Sequence, residues 1–120
     1  MHEAPIPMSR AEFESVVDAA LDEIPKDILD QIENLAIVVE ERPPENEPGL
    51  LGLYEGVSLT ERGIDYTGYL PDRITIFRLS HLELGLSGSD LRAEIRATVL
   101  HEIAHHLGFD DRRLHELGWD

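Results

Sequence analysis

The run His101-Glu102-Ile103-Ala104-His105-His106-Leu107-Gly108-Phe109-Asp110-Asp111 has the form H-E-x-x-H-x-x-G-x-x-D. At 3.6 residues per turn, His101 and His105 stand one above the other on a helix, so two imidazole nitrogens can converge on one tetrahedral metal. Glu102 projects about 100° from His101 and about 60° from His105, beside such a metal and not onto it. There its carboxylate can take a proton from a water that the metal holds. Gly108 ends the helix, because a residue without a Cβ adopts the left-handed conformation that turns the chain out of a helix C-terminus. The turn is expected to return Asp111 from a non-helical segment as the third ligand. A fourth position stays open to water, the layout of a catalytic zinc site and not of a closed structural one.

The competing reading is a solvated His/Glu face in an acidic protein. Against it stands the flanking sequence. Leu91, Ile95, Val99, Ile103 and Leu107 recur at i, i+4 and form an apolar stripe that would anchor such a helix. Ser87-Gly88-Ser89-Asp90 supplies its N-terminal cap.

With 120 residues and 42% hydrophobic composition, the chain is expected to form one domain over residues 9–120, preceded by a disordered arm at 1–8. The net charge of −15, from 25 acidic and 10 basic residues, leaves no basic patch, so neither nucleic acid nor an anionic membrane is expected as a partner. A polypeptide partner is easier to accommodate. There is no cysteine, hence no disulfide and no thiolate metal ligand. Neither a signal peptide nor an apolar run of membrane-spanning length is visible, and the expected location is cytoplasmic.

Ser9 and Glu12 mark an N-cap and capping-box partner for an amphipathic helix over Arg10 to Ile24, carried by Phe13, Val16, Val17, Ala20, Leu21 and Ile24. Pro25 interrupts it, and a short turn through Ile28, Leu29 and Ile32 follows. Leu35 to Glu41 is apolar and β-branched and reads as a central strand, and Leu50 to Glu55 as a second. Gly56 to Pro71 reads as a long excursion. Asp72 to Arg78 alternates polar with apolar residues, which suits an edge strand able to align an extended substrate. After Ser80 to Gly85, which reads as one helical turn, comes the motif helix, then a short helix over Asp110 to Leu117, with Trp119 capping the core. The order predicts an α+β domain: a small three-stranded sheet, an N-terminal helix and an active-site helix packed on it, and a short C-terminal helix.

Ile37-Val38-Val39-Glu40-Glu41-Arg42-Pro43, Leu51-Gly52-Leu53-Tyr54, Pro71 to Phe77, Val99 to His106 and Asp110 to Trp119 resemble the small bacterial zincin-like metallopeptidase family, over nearly all of residues 10–119. The resemblance implies a minimal zincin fold, one Zn2+ per chain and peptidase activity on a peptide or protein substrate. The extended motif is also similar to that of metzincins, where His is usual at the position of Asp111, and of snapalysin-type peptidases, where it is Asp. Carried over by motif, His101, His105 and Asp111 are metal ligands and Glu102 is the catalytic acid/base. Metzincins place a methionine turn beneath the metal. Met1 and Met8 both precede the site, so the lower wall of a substrate cleft is expected to be missing, to be completed by a partner protein.

Tyr54, Tyr66, Tyr69 and His115 are candidate oxyanion donors, each against the plainer reading of a core or surface residue. Asp110 is the alternative to Asp111. His106, about 100° from His105, is read as supporting or exposed, His81 as a surface or capping residue, and His2 as part of the arm. The alternative function is a metal-binding interaction module on a zincin scaffold, with little proteolysis of its own.

Overall fold

The computed structural model describes residues 8–58 and 71–119. The elements run α1 (Arg10–Asp22), α2 (Lys26–Leu29), β1 (Leu35–Glu40), β2 (Gly52–Glu55), β3 (Asp72–Phe77), α3 (Arg78–Leu82), α4 (Gly88–Leu107) and α5 (Asp111–Leu117). This is the expected α+β arrangement. Much of the excursion after Gly56, with Tyr66 and Tyr69, lies outside the described residues, as does His2.

Ser9 caps α1 by accepting the Glu12 backbone N–H at 3.1 Å. The Glu12 carboxylate meets the Ser9 hydroxyl at 3.2 Å, so the pair closes side chain to side chain. Phe13, Val17 and Ala20 bury the inner face of α1, which packs on α4. Met8, expected in the disordered arm, is buried, and its carbonyl accepts from both Arg78 Nε and Nη2 at 3.1 and 2.9 Å.

All five residues of the α4 stripe, Leu91, Ile95, Val99, Ile103 and Leu107, are buried. Thr98, Leu100, Glu102, Ala104 and His106 are buried as well, because α4 lies between α1 on one side and β2 and β3 on the other. One stripe therefore understates the burial of a helix that is covered from two directions.

The sheet order is β1-β3-β2, with β3 parallel to β1 and antiparallel to β2. This reverses the expected places of two strands. Asp72 to Phe77 is the central strand, and Leu35 to Glu40 lies at an edge. The alternation in β3 was a poor guide because Asp72, Ile74 and Ile76 share the inward face, and Thr75 and Phe77 are buried on the other, leaving Arg73 alone exposed. β1, despite its apolar run, is mostly half-buried. A substrate cannot add to β3, whose two edges are already paired.

His81, expected as a surface or capping residue, is fully buried, its Nδ1–H donating to the Phe77 carbonyl at 2.8 Å and its Nε2 2.9 Å from the Thr98 hydroxyl. Burial lowers its pKa below the ordinary imidazole value, against the opposing pull of the Phe77 carbonyl. No helix among the described residues is long and apolar enough to cross a membrane.

Candidate metal centre

Helical spacing does for His101, Glu102 and His105 what the motif requires. One potential ligand atom from each lies within 4.8 Å of the others, on an α4 face where both histidines are exposed and Glu102 is buried. The two imidazole rings stand edge to face, with centroids 4.6 Å apart. His105 Nδ1–H donates to Glu102 Oε1 at 3.0 Å. Because a carboxylate only accepts, this bond puts the proton on Nδ1 and leaves Nε2 with the lone pair that a metal needs. Two converging imidazoles suit zinc, with the Glu102 carboxylate held beside them by its bond to His105.

Gly108 closes α4 in the left-handed conformation at φ 76°, as the sequence predicts. The C-terminal helix α5 starts within one residue of its expected beginning, which places Asp111 on a helix and not on the non-helical segment expected of the third ligand. Asp110 is the N-cap, its Oδ1 accepting the Arg113 backbone N–H at 2.9 Å, and Asp111 is the first helical residue. Asp111 is exposed and does not belong to the His101–Glu102–His105 group. Its carboxylate has no hydrogen-bond or ion-pair partner among the described residues, whereas that of Asp110 is committed to capping. His115 sits exposed on α5, outside the group.

Tyr54, on β2, packs its ring 6.3 Å from that of His105. Its hydroxyl donates to Asp72 Oδ2 at 2.5 Å, which ties it to the interior and away from an oxyanion role. The same oxygen accepts from His106 Nδ1–H at 2.8 Å, and His106 Nε2 accepts the Glu33 backbone N–H at 3.3 Å. His106 is thus a fully buried supporting residue. Its partner Asp72 carries no marker in the sequence that would single it out.

Gly52 is a second missed residue, for which a glycine inside a strand was the available signal. A Cβ there would lie 2.8 Å from Thr98 Cγ2 and 3.1 Å from Glu102 Cγ. Its absence lets α4 approach β2 closely enough to seat Glu102. Gly52→Ala is expected to push Glu102 and the helix off the strand, destabilising the protein by about 1–3 kcal/mol, a cost typical of overpacking. Denaturant unfolding of the variant would measure it, and unchanged stability would mean that α4 is not held at this distance.

Two grooves flank the histidines. One, about 410 Å³, is walled by His101 and Glu102; the other, about 400 Å³, by His105, Tyr54 and Asp110. A larger groove of about 750 Å³ between α1 and the first half of α4 contains none of these residues.

A small α+β scaffold whose buried central helix presents a histidine–carboxylate centre to solvent defines the zincin type. The chain belongs to the zincin-like metallopeptidase family, whose model matches residues 32–119. Membership implies a zinc cofactor. The chain is also similar to a solved structure, a conserved hypothetical protein from Thermo thermophilus, at 26% identity and a TM-score of 0.57, covering 93% of this chain and 100% of that one. No curated protein matches the chain significantly.

Proposed function

We propose that the chain is a zinc-dependent peptidase. The observation that carries this reading is the convergence of His101, Glu102 and His105 at the surface of α4, with Glu102 set in a protected position beside two exposed imidazoles. His101 and His105 hold the metal. Asp111 supplies the third ligand, supported by the motif and by its uncommitted, exposed carboxylate next to a capping Asp110.

Zinc, when bound, lowers the pKa of a coordinated water and polarises a carbonyl. Glu102 then accepts a proton from the attacking water at a carboxylate oxygen and later gives it to the leaving amine nitrogen. His105 Nδ1–H steadies that carboxylate. An extended peptide can lie along the outer edge of β2, the strand that touches α4 at Gly52 and His105 at Tyr54.

Metal analysis of protein purified without chelators tests the ligand set. About one zinc per chain is expected, lost in His101→Ala and in Asp111→Ala. Retention of full zinc by Asp111→Ala would remove that residue from the site, and no zinc uptake by the parent protein would overturn the peptidase reading.

A further inference from the structure

β1 forms one margin of the sheet and β2 the other, so β1 lies on the side away from the metal centre, which β2 approaches through Gly52. The Asn34 carbonyl, just ahead of β1, accepts the Asp72 N–H at 2.9 Å. Backbone groups alternate in direction along a strand, so Ala36, Val38 and Glu40 aim theirs at β3 and Leu35, Ile37 and Val39 aim theirs outward. Among the described residues, only the Val39 carbonyl of that outward set is satisfied, by Arg10 Nη2. Edge strands are ordinarily blunted by a lysine, a proline or a bulge. β1 has none of these: Leu35-Ala36-Ile37-Val38-Val39 is apolar throughout and its register with β3 is unbroken.

α1 runs beside this edge and leaves a groove of about 500 Å³, lined by Val17 and Leu21 on the helix and by Ile37 and Val39 on the strand. Its charged residues are Glu14, Asp18 and Glu40 against Arg10. Arg10 is already engaged, with Nε 3.0 Å from Glu14 and Nη1 3.5 Å from Glu41. Glu40 meets Arg73 at 3.1 Å. Asp18 is exposed and has no ion-pair or hydrogen-bond partner among the described residues. The groove is therefore an apolar trough with a negative rim beside an open backbone ladder.

We propose that this edge takes up an extended, basic segment of a partner protein as an added strand. The proposal goes beyond the peptidase reading and does not depend on it. Main-chain pairing with Leu35, Ile37 and Val39 holds the segment, and the groove chooses its side chains. Apolar residues on the face turned to α1 cover Val17, Leu21, Ile37 and Val39, while a Lys or Arg beyond them reaches Asp18 and Glu14. A second copy of this chain fits less well. It would bring its own Glu14, Asp18 and Glu40 into the same space, at a net charge of −15 per chain. A strand seated on β1 leaves β2 and the metal centre open.

The probe is the capped peptide Lys-Thr-Val-Thr-Val-Thr-Lys, which reads alike in both directions and places both valines and both lysines on one face. Its control carries Glu for Lys. The lysine peptide is expected to bind the full chain about 3- to 30-fold more tightly, a difference that shrinks as salt is added. Glu14→Lys combined with Asp18→Lys, both exposed positions, is expected to reverse the preference. Hydrogen exchange followed by NMR locates the strand: the Leu35, Ile37 and Val39 amides should slow by about 10-fold or more when the lysine peptide is bound. No binding of the lysine peptide, equal binding of the two peptides, a preference that the double variant leaves in place, or protection elsewhere overturns the proposal. Protection of the same amides without peptide, rising with protein concentration as the chain dimerises, would make a second copy the occupant and overturn it as well.

Discussion

Glu102→Gln is expected to lower peptide hydrolysis by about 10²- to 10⁴-fold, the range typical of losing a positioned proton carrier, with zinc content and folding retained. Gln has nearly the volume of Glu, so the close approach of its Cγ to Gly52 is preserved. Its amide oxygen can still accept the His105 Nδ1–H bond, now 3.0 Å to Oε1, so the imidazole that holds the metal keeps its orientation. What the amide cannot do is take a proton from water at neutral pH or return one to an amine. Rate measured beside zinc stoichiometry on the same preparation separates the two effects. A variant that keeps its zinc and its rate would exclude Glu102 from the chemistry. The variant also tests the alternative of a metal-dependent docking module: there, partner capture would survive Glu102→Gln, and no hydrolysis would have existed to lose.

Residues 88–108 were legible because each signal there is local. The i, i+4 apolar stripe, the His-Glu-His spacing and the terminal glycine all act within a few turns of one helix, and periodicity reports that scale directly. Strand order was not, because it depends on which neighbours arrive from elsewhere in the chain. The apolar run of β1 marked a strand that contacts the core, without saying whether one edge or two would be paired. Asp72 looked like the polar phase of a half-exposed strand, yet it faces inward with Ile74 and Ile76. His81 and His106 had no marker at all. Each is buried because a specific partner satisfies it, the Phe77 carbonyl and Thr98 for one, Asp72 and the Glu33 N–H for the other, and these partners lie on different elements. Asp111 shows the opposite limit: its motif position was plain, but the N-cap at Asp110 starts α5 there and makes it helical.

The largest stability loss is expected from Asp72→Ala. Asp72 is 1% exposed and its Oδ2 receives both the Tyr54 hydroxyl at 2.5 Å and His106 Nδ1–H at 2.8 Å, joining β2, the central strand and α4 at one atom. The Gly56 backbone closes over the carboxylate, since a Cβ there would collide with Asp72 Cγ and Oδ1. Removing the carboxylate leaves the fully buried His106 Nδ1–H without this acceptor, at about 1–3 kcal/mol, and deletes the bond of the half-buried Tyr54 hydroxyl, at about 0.5–1.5 kcal/mol more. Against a typical domain stability of about 5–15 kcal/mol, such a change takes a large share of the margin. Asp72→Asn keeps an acceptor oxygen at the same place and is expected to lose less, because a neutral acceptor weakens the bonds without deleting them. Urea unfolding of the two variants beside the parent gives the order, provided the slopes agree. An Asp72→Ala variant within about 1 kcal/mol of the parent would mean that the interior relaxes to satisfy both donors elsewhere. The network also bears on the site, because His106 is covalently next to His105 and the Tyr54 ring packs against both imidazoles. Zinc affinity of the folded Asp72→Asn protein should therefore fall by about 10- to 100-fold, as it does when groups that orient ligands are weakened, although Asp72 touches no ligand itself.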